Sequence, residues 1–204
     1  MEKPVLSMPG YRINEYLLVL KLPEAIWRKI EKVKEAFAHA YEAPQARWGK
    51  PHITLVRFVQ YELMESRIVN HIKTISMGQY PFKIELQNFG SFPSHTVFIQ
   101  MATRRPLQQL VQQLRSQTQR LMKFNEENKP HFITDPVITV ATNLQPAQHH
   151  KAWAEYDKKH FTGKFIADSL LLLKRPVNGK NYQIAERFIF QNLPVAVKQG
   201  ELFA

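Results

Sequence analysis

The chain has 204 residues, with 28 lysines and arginines against 17 aspartates and glutamates, giving a formal net charge of +11 at pH 7. With 44% hydrophobic and 11% aromatic residues it has the material for a sizeable core, which excludes wholesale disorder. It contains no cysteine, which excludes a disulfide scaffold, a thiolate metal site and a cysteine nucleophile together.

The longest apolar runs, such as Leu17–Leu20 and Leu170–Leu173, fall far below the ~18 residues that cross a bilayer. The opening MEKPVLSMPGYRINEY has no signal-like apolar stretch, so the sequence reads as soluble and cytoplasmic, without a membrane partner. Lysine and arginine cluster only in pairs, as at Arg104–Arg105, Lys158–Lys159 and Lys174–Arg175. Such a diffuse positive field draws in polyanions, but it equally suits a merely basic surface.

Apolar periodicity divides the chain into alternating segments. Tyr16–Leu22 reads as a buried strand, and Pro23 stands at the first turn of a helix in which Ile26, Ile30, Val33, Phe37 and Tyr41 share a face. The turn-like APQARWGKP leads into a strand at His52–Phe58. A helix over Leu63–Ile75 follows, then strands at Phe82–Phe92 and Thr96–Ala102 joined by Pro93-Ser94. The second half repeats this rhythm. Pro106 opens a helix whose Leu107, Leu110, Val111, Leu114, Thr118 and Leu121 share a face; NEENKP turns; Val137–Asn143 is a short strand; Ala147–Lys159 is a helix. Phe165–Lys174 and Tyr182–Phe190 are strands separated by Pro176, Asn178 and Gly179. The expected fold class is α+β: one bilobal domain over 1–204, of duplicated strand-helix-strand units forming two mainly antiparallel sheets that face a central cleft. The approximate lobes are 1–102 and 103–204, between which terminal strands can exchange.

The sharpest local feature is Lys50-Pro51-His52-Ile53-Thr54-Leu55. Alternate side chains of a strand share a face, so His52 and Thr54 project together while Ile53 and Leu55 enter the core. An imidazole transfers protons near neutral pH, and a hydroxyl donates to phosphate oxygen. Alone, the pattern also fits a histidine that merely opens a strand. In the equivalent strand of the second half stands Asp135-Pro136-Val137-Ile138-Thr139-Val140, which matches the first motif at the proline, the threonine and both apolar positions.

Here the chain resembles the two-histidine phosphoesterase superfamily, in its RNA-ligase-like and cyclic-phosphodiesterase branch. The resemblance also rests on Phe89-Gly90-Ser91-Phe92, on PHFITDP before the second motif and on FTGKFIADSLLLLKR. It implies phosphodiester chemistry without metal or cofactor: two His-x-Thr/Ser motifs face across a cleft, one histidine acting as base and the other as acid. Carried over, His52 is the catalytic residue and Thr54 and Thr139 are phosphate-binding hydroxyls. Arg57, three positions after Thr54, matches the family's frequent basic residue and joins them as a phosphate ligand, whereas Thr142 stands at the equivalent place. Val137 is a degenerate position, occupying the second histidine's place with a group that neither titrates nor donates a hydrogen bond. His131 is the possible substitute, set against its reading as a turn histidine, and His95 is weighed in the same way. His149 and His150 are expected to face solvent. Tyr11, Trp48, Phe92 and Tyr182 are candidates for stacking on a base, against ordinary packing.

The implied partner is RNA or a nucleotide with a phosphodiester or cyclic phosphate, bound by a monomer. Two functions stand side by side. One is a phosphodiesterase or 2′-5′ RNA-ligase-like enzyme impaired at Val137; the other is a non-catalytic binder of RNA or nucleotide phosphate using the same cleft.

Overall fold

The computed structural model describes residues 10–93 and 95–193; the start of the segment read for a leader, and Ser94 of the Pro93-Ser94 turn, lie outside them. The fold is α+β, with two antiparallel sheets and four helices among the described residues. In chain order the elements are β1 (Ile13–Leu20), α1 (Glu24–Ala40), β2 (Ile53–Tyr61), α2 (Glu65–Met77), β3 (Phe82–Phe92), β4 (Thr96–Met101) and α3 (Arg105–Met122). Then come β5 (His131–Phe132), β6 (Ile138–Ala141), α4 (Pro146–Tyr156), β7 (Thr162–Ala167), β8 (Ser169–Pro176) and β9 (Gln183–Ile189). The first sheet has the order β5-β2-β1-β8-β9 and the second β6-β4-β3-β7, so each draws strands from both halves of the chain. Among the described residues no helix is long and apolar enough to cross a membrane.

The helices form where apolar residues recur at helical spacing. In α3, Leu107, Leu110, Val111, Leu114, Thr118 and Met122 are buried, and the glutamine-rich remainder faces water. This helix lies against α2 and β2, while α1 and α4 pack on the second sheet. In α1 the buried stripe is Ile30, Lys34, Phe37 and Ala38, so a lysine occupies a core position between apolar neighbours.

Two stretches depart from the periodicity. The run expected as one strand over Phe165–Lys174 breaks at Asp168: β7 pairs with β3 in the second sheet and β8 with β1 in the first. Both pieces are apolar, and hydropathy carries no mark of the change of sheet. Asp168 fixes the crossing, its carboxylate accepting from the Ser169 hydroxyl at 2.7 Å and its carbonyl from the Phe190 amide at 2.8 Å. The segment holding His131 forms the short β5, opposite Val56 and Arg57 of β2, which extends the first sheet by two residues.

On one face of the first sheet, Glu15 joins three strands. Arg57 Nε of β2 and Arg175 Nε of β8 each approach its carboxylate to 2.7 Å, and Arg175 lies 4.5 Å from the centre of the Tyr182 ring. Burial of Glu15 raises its pKa, but the Arg175 hydrogen bond, the Arg57 charge and the Tyr182 hydroxyl outweigh it and hold the carboxyl below its ordinary 4.5. A carboxyl depressed in the folded state contributes stability above its unfolded pKa and loses it as pH falls through the folded value. Glu15→Gln is therefore expected to cost about 2–3 kcal/mol at pH 7, less than a fully buried pair because Arg57 is half-exposed. The difference from the parent should shrink on acidification below 4.5; urea titrations at neutral and acid pH check both points.

Candidate phosphate-binding site

The two motif strands share a local irregularity. Across β1 and β2, Val19 pairs with Thr54 and Leu18 with Val56, so Leu55 is an extra residue in β2. Across β4 and β6, Phe98 pairs with Thr139 and Val97 with Ala141, so Val140 is extra in β6. Each strand thus carries a β-bulge one residue after its threonine, which shifts the alternation of side chains. Leu55 and Val56 are both buried, as are Val140 and Ala141. Arg57 and Thr142, three positions after the threonines, consequently return to the threonine face and are exposed.

Both motifs meet at one cavity of about 130 Å³, to which β2 and its approach contribute His52 and Thr54, and β6 and its approach contribute Val137 and Thr139. Thr142, Lys34, Lys50 and the 75%-exposed Trp48 also line it. His52 Nδ1 donates to the Lys50 carbonyl at 2.7 Å. A carbonyl can only accept, so the proton sits on Nδ1 and the neutral ring keeps its lone pair on Nε2. Burial lowers the His52 pKa below the ordinary 6.5; the Lys50 carbonyl opposes this, and the Lys34 charge lowers it further. The imidazole is accordingly neutral at physiological pH and able to accept a proton.

Val137 also borders a second cavity of about 280 Å³, lined by Gln100, Thr103, Arg104, Thr134 and Asp135 among others. Thr142 Oγ1 lies 3.0 Å from Thr96 Oγ1, at the place where Arg57 stands in the first motif.

Other residues singled out in the sequence lie elsewhere. Arg57 is directed along the sheet toward Glu15, and neither it nor His131, its neighbour across β5, lines the 130 Å³ cavity. His95 Nδ1 donates to the Pro93 carbonyl at 2.9 Å within its turn. His149 is buried, not solvent-facing: its Nε2 is hydrogen-bonded to Ser91 Oγ at 2.6 Å, because α4 turns this side of its first turn onto β3. Tyr11 packs edge-on against Tyr61, and Phe92 lies 4.5 Å from Phe98, ring centre to ring centre. Among the described residues there is no group of three or more His, Cys, Asp or Glu side chains placed to hold a metal ion.

The residue that the motifs do not reveal is Lys34. Its Nζ donates to the carbonyls of Trp48 and Gly49 at 3.2 and 2.7 Å, holding the segment that leads to His52. The signal was a lone cation in the apolar stripe of α1, one turn after Ile30 and one before Ala38.

The two-sheet architecture is shared with solved bacterial proteins. E. coli LigT complexed with 3′-AMP superposes with a TM-score of 0.59 at 18% identity, covering 89% of this chain and 99% of that one. LigT complexed with NADP+ gives 0.58 at 19% identity, over 89% and 99%, and TT0787 of Thermus thermophilus gives 0.54 at 17%, over 87% and 98%. The sequence model of the 2′-5′ RNA ligase superfamily matches residues 22–179, and the chain belongs to that superfamily. No curated protein sequence matches it.

Proposed function

We propose that the protein is a phosphoesterase of the 2′-5′ RNA-ligase-like, 2′,3′-cyclic-phosphodiesterase type, acting on RNA or nucleotide phosphodiesters at a rate limited by the missing second histidine. One observation carries this reading: His52, Thr54 and Thr139 open onto one small cavity, with the His52 Nε2 lone pair left unblocked by the bond at Nδ1. A cyclic phosphate seated there accepts hydrogen bonds from the two threonine hydroxyls. His52 Nε2 takes a proton from water as its oxygen bonds to phosphorus, and the bond from phosphorus to one ribose oxygen breaks. That oxygen takes its proton from solvent, since Val137 has none to give, and the product is a phosphomonoester. The same contacts serve the reverse path. Nucleotide complexes of the LigT neighbours with 3′-AMP, ATP and NADP+ are consistent with this class of ligand.

The second reading is a binder of RNA or nucleotide phosphate that turns nothing over, and Val137 is the observation that favours it. The two separate in one experiment on nucleoside 2′,3′-cyclic phosphates and 2′-5′-linked oligonucleotides. Turnover by the parent, reduced about 10–100-fold in Thr54→Val and again in Thr139→Val, is the expected result, since a hydrogen bond to a charged group is worth about 1.5–3 kcal/mol. Binding that weakens with salt, as counterion release requires, but without turnover would leave the binder. Neither turnover nor salt-sensitive binding would sink both.

A further inference from the structure

Outside the two motifs, the cavity has a cationic side chain of its own. Lys34 is 7% exposed, a burial that lysine rarely tolerates without a partner of opposite charge. What it meets instead is two carbonyls, Trp48 and Gly49, and the cavity itself. An ammonium has three N–H donors. Two are taken by those carbonyls, and among the described residues no acceptor is present for the third. A buried cation beside a cavity lined by three threonines and no carboxylate is arranged for an anion.

We propose that Lys34 is a phosphate ligand of this site, supplying to the bound phosphodiester the charged contact that the second motif lost with its histidine and its cation. The inference rests on the phosphoesterase reading and adds to it the residue that neutralises the substrate. It explains an asymmetry of the cavity: β6 and its approach bring only Val137 and hydroxyls as motif side chains, so the positive charge comes from the other wall. Lys34 also acts through the chain. Its two carbonyl bonds fix Trp48 and Gly49, and the next carbonyl, that of Lys50, accepts from His52 Nδ1. One side chain thus holds the segment that sets the tautomer of the base while facing the group on which the base acts.

Burial lowers the Lys34 pKa, with the Glu31 charge opposing it, and a less strongly solvated ammonium binds an anion better than a surface lysine does. The titratable groups around His52 are few: Lys34 from α1 and Lys50 from its own segment line the cavity, and β6 contributes none. Removal of the Lys34 charge therefore relieves His52 of a nearby cation and raises its pKa.

The test uses the full chain and adenosine 2′-monophosphate as the probe. In the parent protein, 15N NMR of the lysine Nζ and histidine ring nitrogens is followed as the nucleotide is added. Lys34 Nζ and His52 Nε2 should shift together with one Kd. Lys34→Met should weaken that Kd about 10-fold or more, roughly one charge-assisted contact, and should move the His52 titration to higher pH. If His52 responds to the nucleotide while Lys34 does not, Lys34 is no phosphate ligand and the phosphoesterase reading survives. If neither responds at millimolar nucleotide, the cavity is not a nucleotide site and both fail. The parent titration needs no variant, so the proposal stays open to refutation even if Lys34→Met is unstable.

Discussion

Val137→His is expected to raise turnover of a nucleoside 2′,3′-cyclic phosphate by about 10²-fold or more, since a positioned general acid typically contributes ~10²–10⁴. The placement follows from the strands. His52 immediately precedes β2 and Val137 immediately precedes β6, and each strand bulges one residue after its threonine. A side chain at 137 therefore stands to Thr139 as His52 stands to Thr54, facing the same cavity. Room exists for the larger ring, because Val137 lies between the 130 Å³ cavity and the neighbouring one of about 280 Å³. Overpacking, which typically costs about 1–3 kcal/mol, is therefore limited here. The new imidazole would give its proton to the departing ribose oxygen, a step that the proposed mechanism leaves to solvent in the parent. The pH profile should change accordingly, from a rise that levels off to a bell with a new alkaline limb. A stable Val137→His protein with unchanged turnover would show that proton supply to the leaving group is not what limits the reaction.

Much of the fold was legible because its signals are local. The helices announce themselves by apolar spacing, and most strands by short β-branched runs bounded by proline, asparagine and glycine. The matching Pro-x-x-Thr segments pointed to the two strands that meet at the cavity. Sheet membership was not legible. Nothing in FIADSLL distinguishes a continuous strand from one that passes between sheets at Asp168, since both halves are apolar and differ only in their partners. The bulges were equally silent, although they account for the spacing between threonine and the residue three places on. Arg57 was read as a phosphate ligand from the resemblance; in the structure its guanidinium reaches Glu15, a buried acid whose role required the neighbouring strand to be known. His149 looked exposed because two adjacent histidines open an amphipathic helix of weak pattern, and only the position of Ser91 shows which of them turns inward. Lys34 was visible as an exception to its own helix. Its meaning depended on the carbonyls of a turn 14 and 15 residues further on.

His52→Ala should abolish most of whatever turnover the parent has, a loss of about 10²–10⁴-fold, because among the described residues it removes the sole imidazole lining the cavity. The pH dependence distinguishes loss of a base from loss of a contact. A general base works in its neutral form, so parent turnover should rise as pH passes upward through the His52 pKa and be level above it. That pKa lies below 6.5, chiefly because the ring is buried, so the rise belongs to the acidic range and activity at neutral pH is insensitive to small changes. His52→Ala should flatten this acidic limb as well as lower the plateau. His52→Gln sharpens the distinction, since its amide can keep a hydrogen bond to the Lys50 carbonyl yet takes up no proton. Equal loss in the two variants, with nucleotide binding retained by the glutamine form, would identify the proton as the function of His52. Recovery of most turnover in His52→Gln would instead make the residue a phosphate contact, and the cavity would then be a binding site whose chemistry lies with its bound water.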